Sequence, residues 1–101
     1  MSASIVSDNN GLIRLEGVLD FTTAVSLRSD IEEAVKAQSS DITLDFAGVT
    51  LTNSVGLSLI LVAARALEGR EGSLRLQSVP DGLRSIARVC ELEDWLGTLT
   101  V

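Results

Sequence analysis

The feature that most constrains the fold is a change of apolar spacing within residues 42–67. Residues 42–49, ITLDFAGV, are rich in β-branched and apolar side chains, which is typical of a central strand. Residues 55–67 are apolar at ten of thirteen positions, and a run of this length favours a helix. The polar segment Thr52-Asn53-Ser54 separates the two. A strand that leads directly into a helix predicts one unit of an α/β sheet.

Comparable patterns on both sides extend this unit. Apolar residues recur at three- and four-residue spacing after Asp20, which predicts an amphipathic helix from Phe21 to Gln38, capped by the Asp20 carboxylate. Asn10-Gly11 predicts a tight turn between two strands. The other predicted elements are strands at residues 3–7, 12–19 and 73–79, a helix from Pro80 to about Cys90, and a last short strand in the tail at residues 92–101. The order β-β-α-β-α-β-α-β predicts a single α/β domain over residues 1–101, with a small, mixed, mostly parallel sheet and helices packed on it.

Charge and composition argue against several classes of function. The formal net charge of −6 opposes binding to nucleic acid or to an anionic membrane surface, because both depend on Lys and Arg. The chain has no histidine, so a Ser-His-Asp or Cys-His catalytic centre is excluded, and a usual zinc or copper site would lack its imidazole ligands. We therefore expect no enzyme activity, no cofactor and no metal.

Cys90, Asp45 and Trp95 are expected to have structural roles. Cys90 is the only cysteine, so no disulfide can form within the chain, and we expect it to be a small core residue. Asp45 is expected to end the central strand and to form a hydrogen bond into the following loop. Trp95 is expected to pack under the last strand.

The sequence also indicates a location. The N-terminal segment has neither the basic region nor the apolar region of a signal peptide. The longest apolar run, residues 59–64, is far shorter than the roughly 20 residues of a membrane-spanning helix. We expect a cytoplasmic protein with no direct membrane insertion.

The helix after Gly56 is apolar nearly all round, whereas a surface helix shows a single apolar stripe. Two interpretations stay open. Either the helix is enclosed by the sheet and other helices, or the flank at Leu57, Ser58 and Leu61 faces a partner protein. The role of the polar turn is also open. Asn53 or Ser54 alone suffices as a helix cap, and free N–H groups at the start of a helix also attract anions.

The segments ITLDFAGVTLTNSVGLSLILVAARAL and GSLRLQSVPDGLRSIARVCEL resemble the STAS domain, and this resemblance covers essentially the whole chain. In anti-sigma-factor antagonists, one kind of small STAS protein, the turn typically has the sequence Asp-Ser-Ser-Gly, and the hydroxyl immediately before the glycine is phosphorylated. Here that position is Val55, and Asn53 replaces the aspartate. Under this alternative the chain is a partner-switching regulator that binds an anti-sigma kinase, with a displaced or lost phosphoacceptor.

The turn is more similar to that of the STAS subunit of the Mla-type phospholipid ABC transporter, which resembles Asp-Thr-Gly-Gly. Ser54 occupies the place of its hydroxyl residue. The resemblance implies a non-catalytic, cytoplasmic subunit that binds and supports the ABC ATPase and is peripheral on the inner membrane through it, in a system for outer-membrane lipid asymmetry. Ser54 is also the candidate for phosphorylation or regulation. The expected partner-binding residues are Thr52, Asn53, Ser54, Val55, Gly56, Leu57, Ser58, Leu61 and Arg88.

Overall fold

Four strands form one sheet in the order β1-β2-β3-β4; β1 is antiparallel to β2, and the other two pairs are parallel. The computed structural model describes residues 2–8, 10–38 and 40–100. The elements are β1 (Ala3–Ser7), β2 (Leu12–Leu19), α1 (Ala24–Ala37), β3 (Ile42–Thr52), α2 (Val55–Ala66), β4 (Leu74–Gln77), α3 (Asp81–Val89) and α4 (Glu93–Leu99). The predicted α/β fold with a mixed, mostly parallel sheet is confirmed.

The β1–β2 hairpin turns at the predicted Asn10-Gly11. The Asp8 carboxylate accepts hydrogen bonds from the N–H groups of Asn10 and Leu12, at 2.8 and 3.0 Å. Gly11 has a φ of +89°, and a Cβ there would overlap the carbonyl oxygen of Asp41. Glycine is therefore required at this turn for both its backbone angle and its lack of a side chain.

Strand β3 is longer than β2 because it contains two bulges. The register between the strands shifts after the Arg14–Asp45 pair and again after the Gly17–Val49 pair, and β3 supplies the extra residue each time. At the first bulge an Asp45 carboxylate oxygen accepts a hydrogen bond from the N–H of Ala47, at 2.9 Å. The expectation that Asp45 ends the strand is wrong, because the bulge lets the strand continue to Thr52.

Helix α1 begins at Ala24, three residues later than predicted. The Asp20 carboxylate accepts hydrogen bonds from the Thr22 hydroxyl and from the N–H groups of Thr22 and Thr23, at 2.6, 2.9 and 3.2 Å. Asp20 therefore stabilises a turn that precedes the helix. These bonds, foremost the one from the Thr22 hydroxyl, hold the pKa of Asp20 below its ordinary value.

One face of the sheet is buried beneath helices. Ile13 and Leu15 on β2 are fully buried, whereas Arg14 between them is exposed. Strand β4 shows the same alternation. The helices complete the core with a predicted stripe on α1 and with three turns of α2: Leu27, Ile31, Ala34, Val35, Leu59, Ile60 and Ala63.

The tail differs from its prediction, since it forms helix α4 instead of a strand. Only Thr100 forms a bridge to the sheet, beside Leu76; Val101, the last residue of the predicted strand, lies outside the described residues. Trp95 is half-buried against the core from α4, so it packs as expected but on a helix.

Helix α3 follows Pro80 as predicted, but Cys90 at its end is exposed and is not a core residue.

Candidate functional site

Asn53 caps the helix that follows the polar turn. Its side-chain oxygen accepts a hydrogen bond from the N–H of Val55, at 2.8 Å. Ser54 occupies the N-cap position itself, yet its side chain makes no capping hydrogen bond. Ser54 is exposed, and within the described residues its hydroxyl has no hydrogen-bond partner. The hydroxyl is therefore accessible to a partner protein.

The first N–H groups of α2 are already paired within the turn. The N–H of Gly56 donates to the Asn53 carbonyl at 3.1 Å, and those of Leu57 and Ser58 donate to the Ser54 carbonyl at 3.1 and 3.3 Å. An anion at this end of the helix would find no unpaired N–H among these residues. Of the two interpretations of the turn, these hydrogen bonds disfavour an anion site, because only the helix dipole remains here to attract negative charge.

Three of the expected contact residues face the interior. Val55 and Leu57 are only 4% and 5% exposed, and Gly56 is also buried. A Cβ on Gly56 would lie 2.7 Å from the Thr52 hydroxyl oxygen and 2.9 Å from a methyl carbon of Leu83 on α3. The side chains of Val55 and Leu57 are therefore not available for contact in this structure, and Gly56 has no side chain to offer. They fix how α2 meets β3 and α3, and so position the exposed residues beside them.

The accessible side of α2 borders a groove between α1 and α2. Ser58 is exposed and Leu61 is 39% exposed. A cavity of about 510 Å³ and a second of about 200 Å³ share residues and form what we call the α1–α2 groove. Its lining residues are Ala24, Val25, Arg28, Glu32 and Lys36 on α1, and Val55, Ser58, Leu59, Leu61, Val62, Arg65 and Ala66 on α2.

Arg88 lies apart from these groups. It is in the last turn of α3 and forms an exposed ion pair with Glu93, at 2.8 Å. Helix α3 touches the start of α2 through Leu83, five residues earlier, which is about 7.5 Å along the helix axis. No hydrogen bond in the described part of the chain joins Arg88 to the turn.

Sequence reasoning missed the α1 side of the groove. Arg28, Glu32 and Lys36 recur every fourth residue, which places them along one side of α1. Their spacing is visible in the sequence, but an amphipathic pattern indicates only that they lie off the buried stripe. Pairing of that side with α2 becomes visible only when both helices are placed on the same face of the sheet.

Two further features were sought among the described residues, a metal site and a membrane-spanning helix. These residues contain no cluster of three or more Cys, Asp or Glu side chains suited to a metal ion. None of their helices has the length and hydropathy needed to cross a bilayer. The turn and the groove present hydroxyl, amide, charged and apolar side chains, which suit hydrogen bonding, ion pairing and apolar contact.

Comparison with known proteins adds a family model and several solved structures. Residues 5–100 match the family model described as "Mlab, STAS domain". The anti-sigma factor antagonist SpoIIAA in its unphosphorylated form is similar with a TM-score of 0.72 and 20% identity, over 99% of this chain and 86% of that chain. No curated protein matches this chain in sequence.

Two further structures share the fold. An anti-sigma factor antagonist from Mycobacterium paratuberculosis has a TM-score of 0.74 at 20% identity, over 93% of this chain and 82% of that chain. The phosphorylated form of the Bacillus cell fate determinant SpoIIAA has a TM-score of 0.69 at 20% identity, over 99% and 89%. At this level of identity the likeness establishes the fold alone.

Proposed function

Because this chain belongs to the family described as "Mlab, STAS domain", we propose that it is a non-catalytic subunit that binds and supports the ATPase of an Mla-type phospholipid-transport ABC system. The observation that carries the proposal is the exposed hydroxyl of Ser54, which has no partner in the described residues. By the resemblance, Ser54 occupies the place of the hydroxyl residue in the Mla-type turn. The chain would act in the cytoplasm and reach the inner membrane only through the ATPase.

The proposed contact surface is narrower than the nine residues expected from the sequence. Ser54, Ser58 and Leu61 supply accessible side chains, with Thr52 and Asn53 half-buried behind them. The buried residues between them act indirectly, by holding the start of α2 in place. Arg88 belongs to this surface only if the partner spans from α2 to the end of α3.

A co-purification experiment tests this proposal. The tagged chain is co-expressed with the lipid-transport ABC ATPase of its source organism, and the complex is recovered on the tag. We expect Ser54→Arg to abolish recovery of the ATPase, because the substitution places a long charged side chain in the contact. Ser4→Arg, at an exposed position of β1, is the matched control and should leave recovery unchanged. Equal recovery with both variants would contradict the proposed surface.

An anti-sigma-factor antagonist is the second candidate, and the likeness to the SpoIIAA structures supports it at the level of the fold. The position that carries the phosphoacceptor in such proteins is Val55 in this chain, which is buried and has no hydroxyl. Ser54 would then be the acceptor. Incubation with an anti-sigma kinase and ATP should add one phosphoryl group, with about −2 charge, to the chain and none to Ser54→Ala. An unchanged intact mass with an active kinase would rule this candidate out.

A further inference from the structure

The α1–α2 groove concentrates positive charge in an acidic chain. Three of the eight Lys and Arg residues, Arg28, Lys36 and Arg65, line it, while the whole chain has a net charge of −6. Glu32 is the one acidic residue among the lining residues. It pairs with Arg28 at 3.1 Å, whereas Lys36 and Arg65 have no ion-pair partner in the described residues. The groove therefore has local net positive charge that the chain itself does not neutralise.

The groove also has apolar walls and a regular shape. The N-terminal halves of α1 and α2 meet at one end and their C-terminal residues at the other, so the two helices run side by side in the same direction. From Val55 to Ala66 the groove follows α2 for about 16 Å, which is the length of three helical turns. Leu61 is 39% exposed along it, and Val25 is 82% exposed at its N-terminal end.

We propose that the α1–α2 groove docks a helical segment of about three turns from the partner protein, with Asp or Glu residues on both sides of an apolar stripe. The apolar stripe would lie on Leu61 and Val62, and the carboxylates would meet Arg65, Lys36 and the exposed side of Arg28. A neutral or basic segment would leave these cations unpaired. The partner's identity rests on the proposed function, but its charge and form follow from the groove.

Continuity with the turn makes this groove part of one surface. Ser58 and Val62 line both cavities, and the groove begins within one residue of Ser54. A segment in the groove would therefore end beside the Ser54 hydroxyl. The groove would supply affinity and electrostatic steering, while the turn would fix the register of the partner.

A peptide titration tests the groove without any assumption about the partner. Two helical peptides of about 12 residues carry the same leucine stripe, one with flanking Glu and the other with flanking Lys. We expect the Glu peptide to shift the backbone amide NMR signals of Ser58, Leu61 and Arg65, and to bind less tightly as salt rises. The Lys peptide should leave these signals unchanged. Equal binding of both peptides, or shifts confined to other surfaces, would overturn the inference.

Charge reversal tests it in the complex. Arg65→Glu and Lys36→Glu should each weaken ATPase binding by about tenfold or more. Arg75→Glu, on an exposed residue of β4, is the matched control and should bind as the unmodified chain does. If the ATPase binds all three variants equally, the groove inference fails and the proposed function stands. If the ATPase does not bind the unmodified chain, the proposed function fails, and the peptide titration alone decides the groove inference.

Discussion

Replacement of Gly56 by alanine tests how tightly the candidate site is held. Gly56 and Gly82 are each the second residue of their helix, and neither has a positive φ. A Cβ on Gly82 would meet nothing within 4 Å, whereas a Cβ on Gly56 would lie 2.7 Å from the Thr52 hydroxyl and 2.9 Å from Leu83. Gly56→Ala and Gly82→Ala therefore change helix propensity by the same amount, and they differ in whether the new methyl group meets other atoms.

The magnitudes follow from these surroundings. Substitution of glycine by alanine within a helix stabilises the helix by up to about 1 kcal/mol. Inserting a methyl group into a packed interior costs about 1–3 kcal/mol, and Leu83 is fully buried. We therefore expect Gly82→Ala to be neutral or stabilising, and Gly56→Ala to be less stable than Gly82→Ala by about 1–3 kcal/mol. In a domain of this size, each 1 kcal/mol corresponds to about 4–8 °C in Tm.

Thermal unfolding followed by tryptophan fluorescence measures the difference, because Trp95 is the only tryptophan and is half-buried against the core. A double variant separates the clash from other effects. Leu83→Ala alone should cost about 2–5 kcal/mol, and Gly56→Ala should cost less in that background because the new methyl group enters the vacated space. If Gly56→Ala raises Tm as Gly82→Ala does, the close contact of α2 with Thr52 and Leu83 is refuted.

Three other outcomes are expected. The pKa of Asp20 is lowered in the folded state, chiefly by the Thr22 hydroxyl. The contribution of Asp20 to stability is therefore present above the unfolded-state pKa and is lost as the pH falls through the folded-state pKa. Asp20→Asn should lower Tm at neutral pH, and the difference in Tm should vanish when the protein is titrated with acid. Ile60→Ala should cost about 2–5 kcal/mol in urea unfolding and Val25→Ala less than about 0.5 kcal/mol, because the first is fully buried and the second is 82% exposed. Cys90 should react with a thiol reagent in the native protein as fast as in the unfolded chain, and strong protection would contradict its exposed position.

Apolar spacing was sufficient to predict most of the fold. The apolar stripe predicted on α1 is buried at Leu27, Ile31, Ala34 and Val35 and half-buried at Ala24. The helix after Pro80 lies where the sequence placed it. These predictions succeed because burial of an apolar stripe dominates the stability of a helix in a domain of this size. Spacing alone determines which side of an element is buried, and most of the sheet and helix order follows.

The errors have separate physical causes. The tail contains Thr98 and Thr100, which favour strands, but Leu92, Leu96 and Leu99 recur at helical spacing; α4 buries Leu96, and Leu92 and Leu99 are partly buried against the core. That spacing was a signal available in the sequence. The start of α1 was misplaced because side-chain hydrogen bonds of Asp20 stabilise a preceding turn, and residue type alone does not distinguish such a turn from a first helical turn.

The sequence predicted where the candidate site lies in the chain, but not which of its residues are exposed. The turn at residues 52–54 precedes a helix as expected, but burial of Val55 and Leu57 depends on where α3 and the sheet lie, which the sequence of α2 does not specify. The groove escaped prediction for the same reason. Its two sides belong to different helices with β3 between them in the chain, and only the parallel crossovers bring them together.

The paired bulges of β3 determine which length changes the chain tolerates. Residues paired across neighbouring strands share a face of the sheet, and the pairs before, between and after the bulges all follow the alternation of β2. Each bulge therefore absorbs its extra residue without reversing the facing of the residues that follow. Removing one residue at a bulge would leave Thr52 opposite Leu19 and keep the turn on its present side of the sheet. Removing a residue from a regularly paired part of β3 would instead reverse the facing of the residues on one side of the deletion. A homologue or a redesigned chain that keeps this surface can therefore shorten β3 at the bulges while β2 stays unchanged.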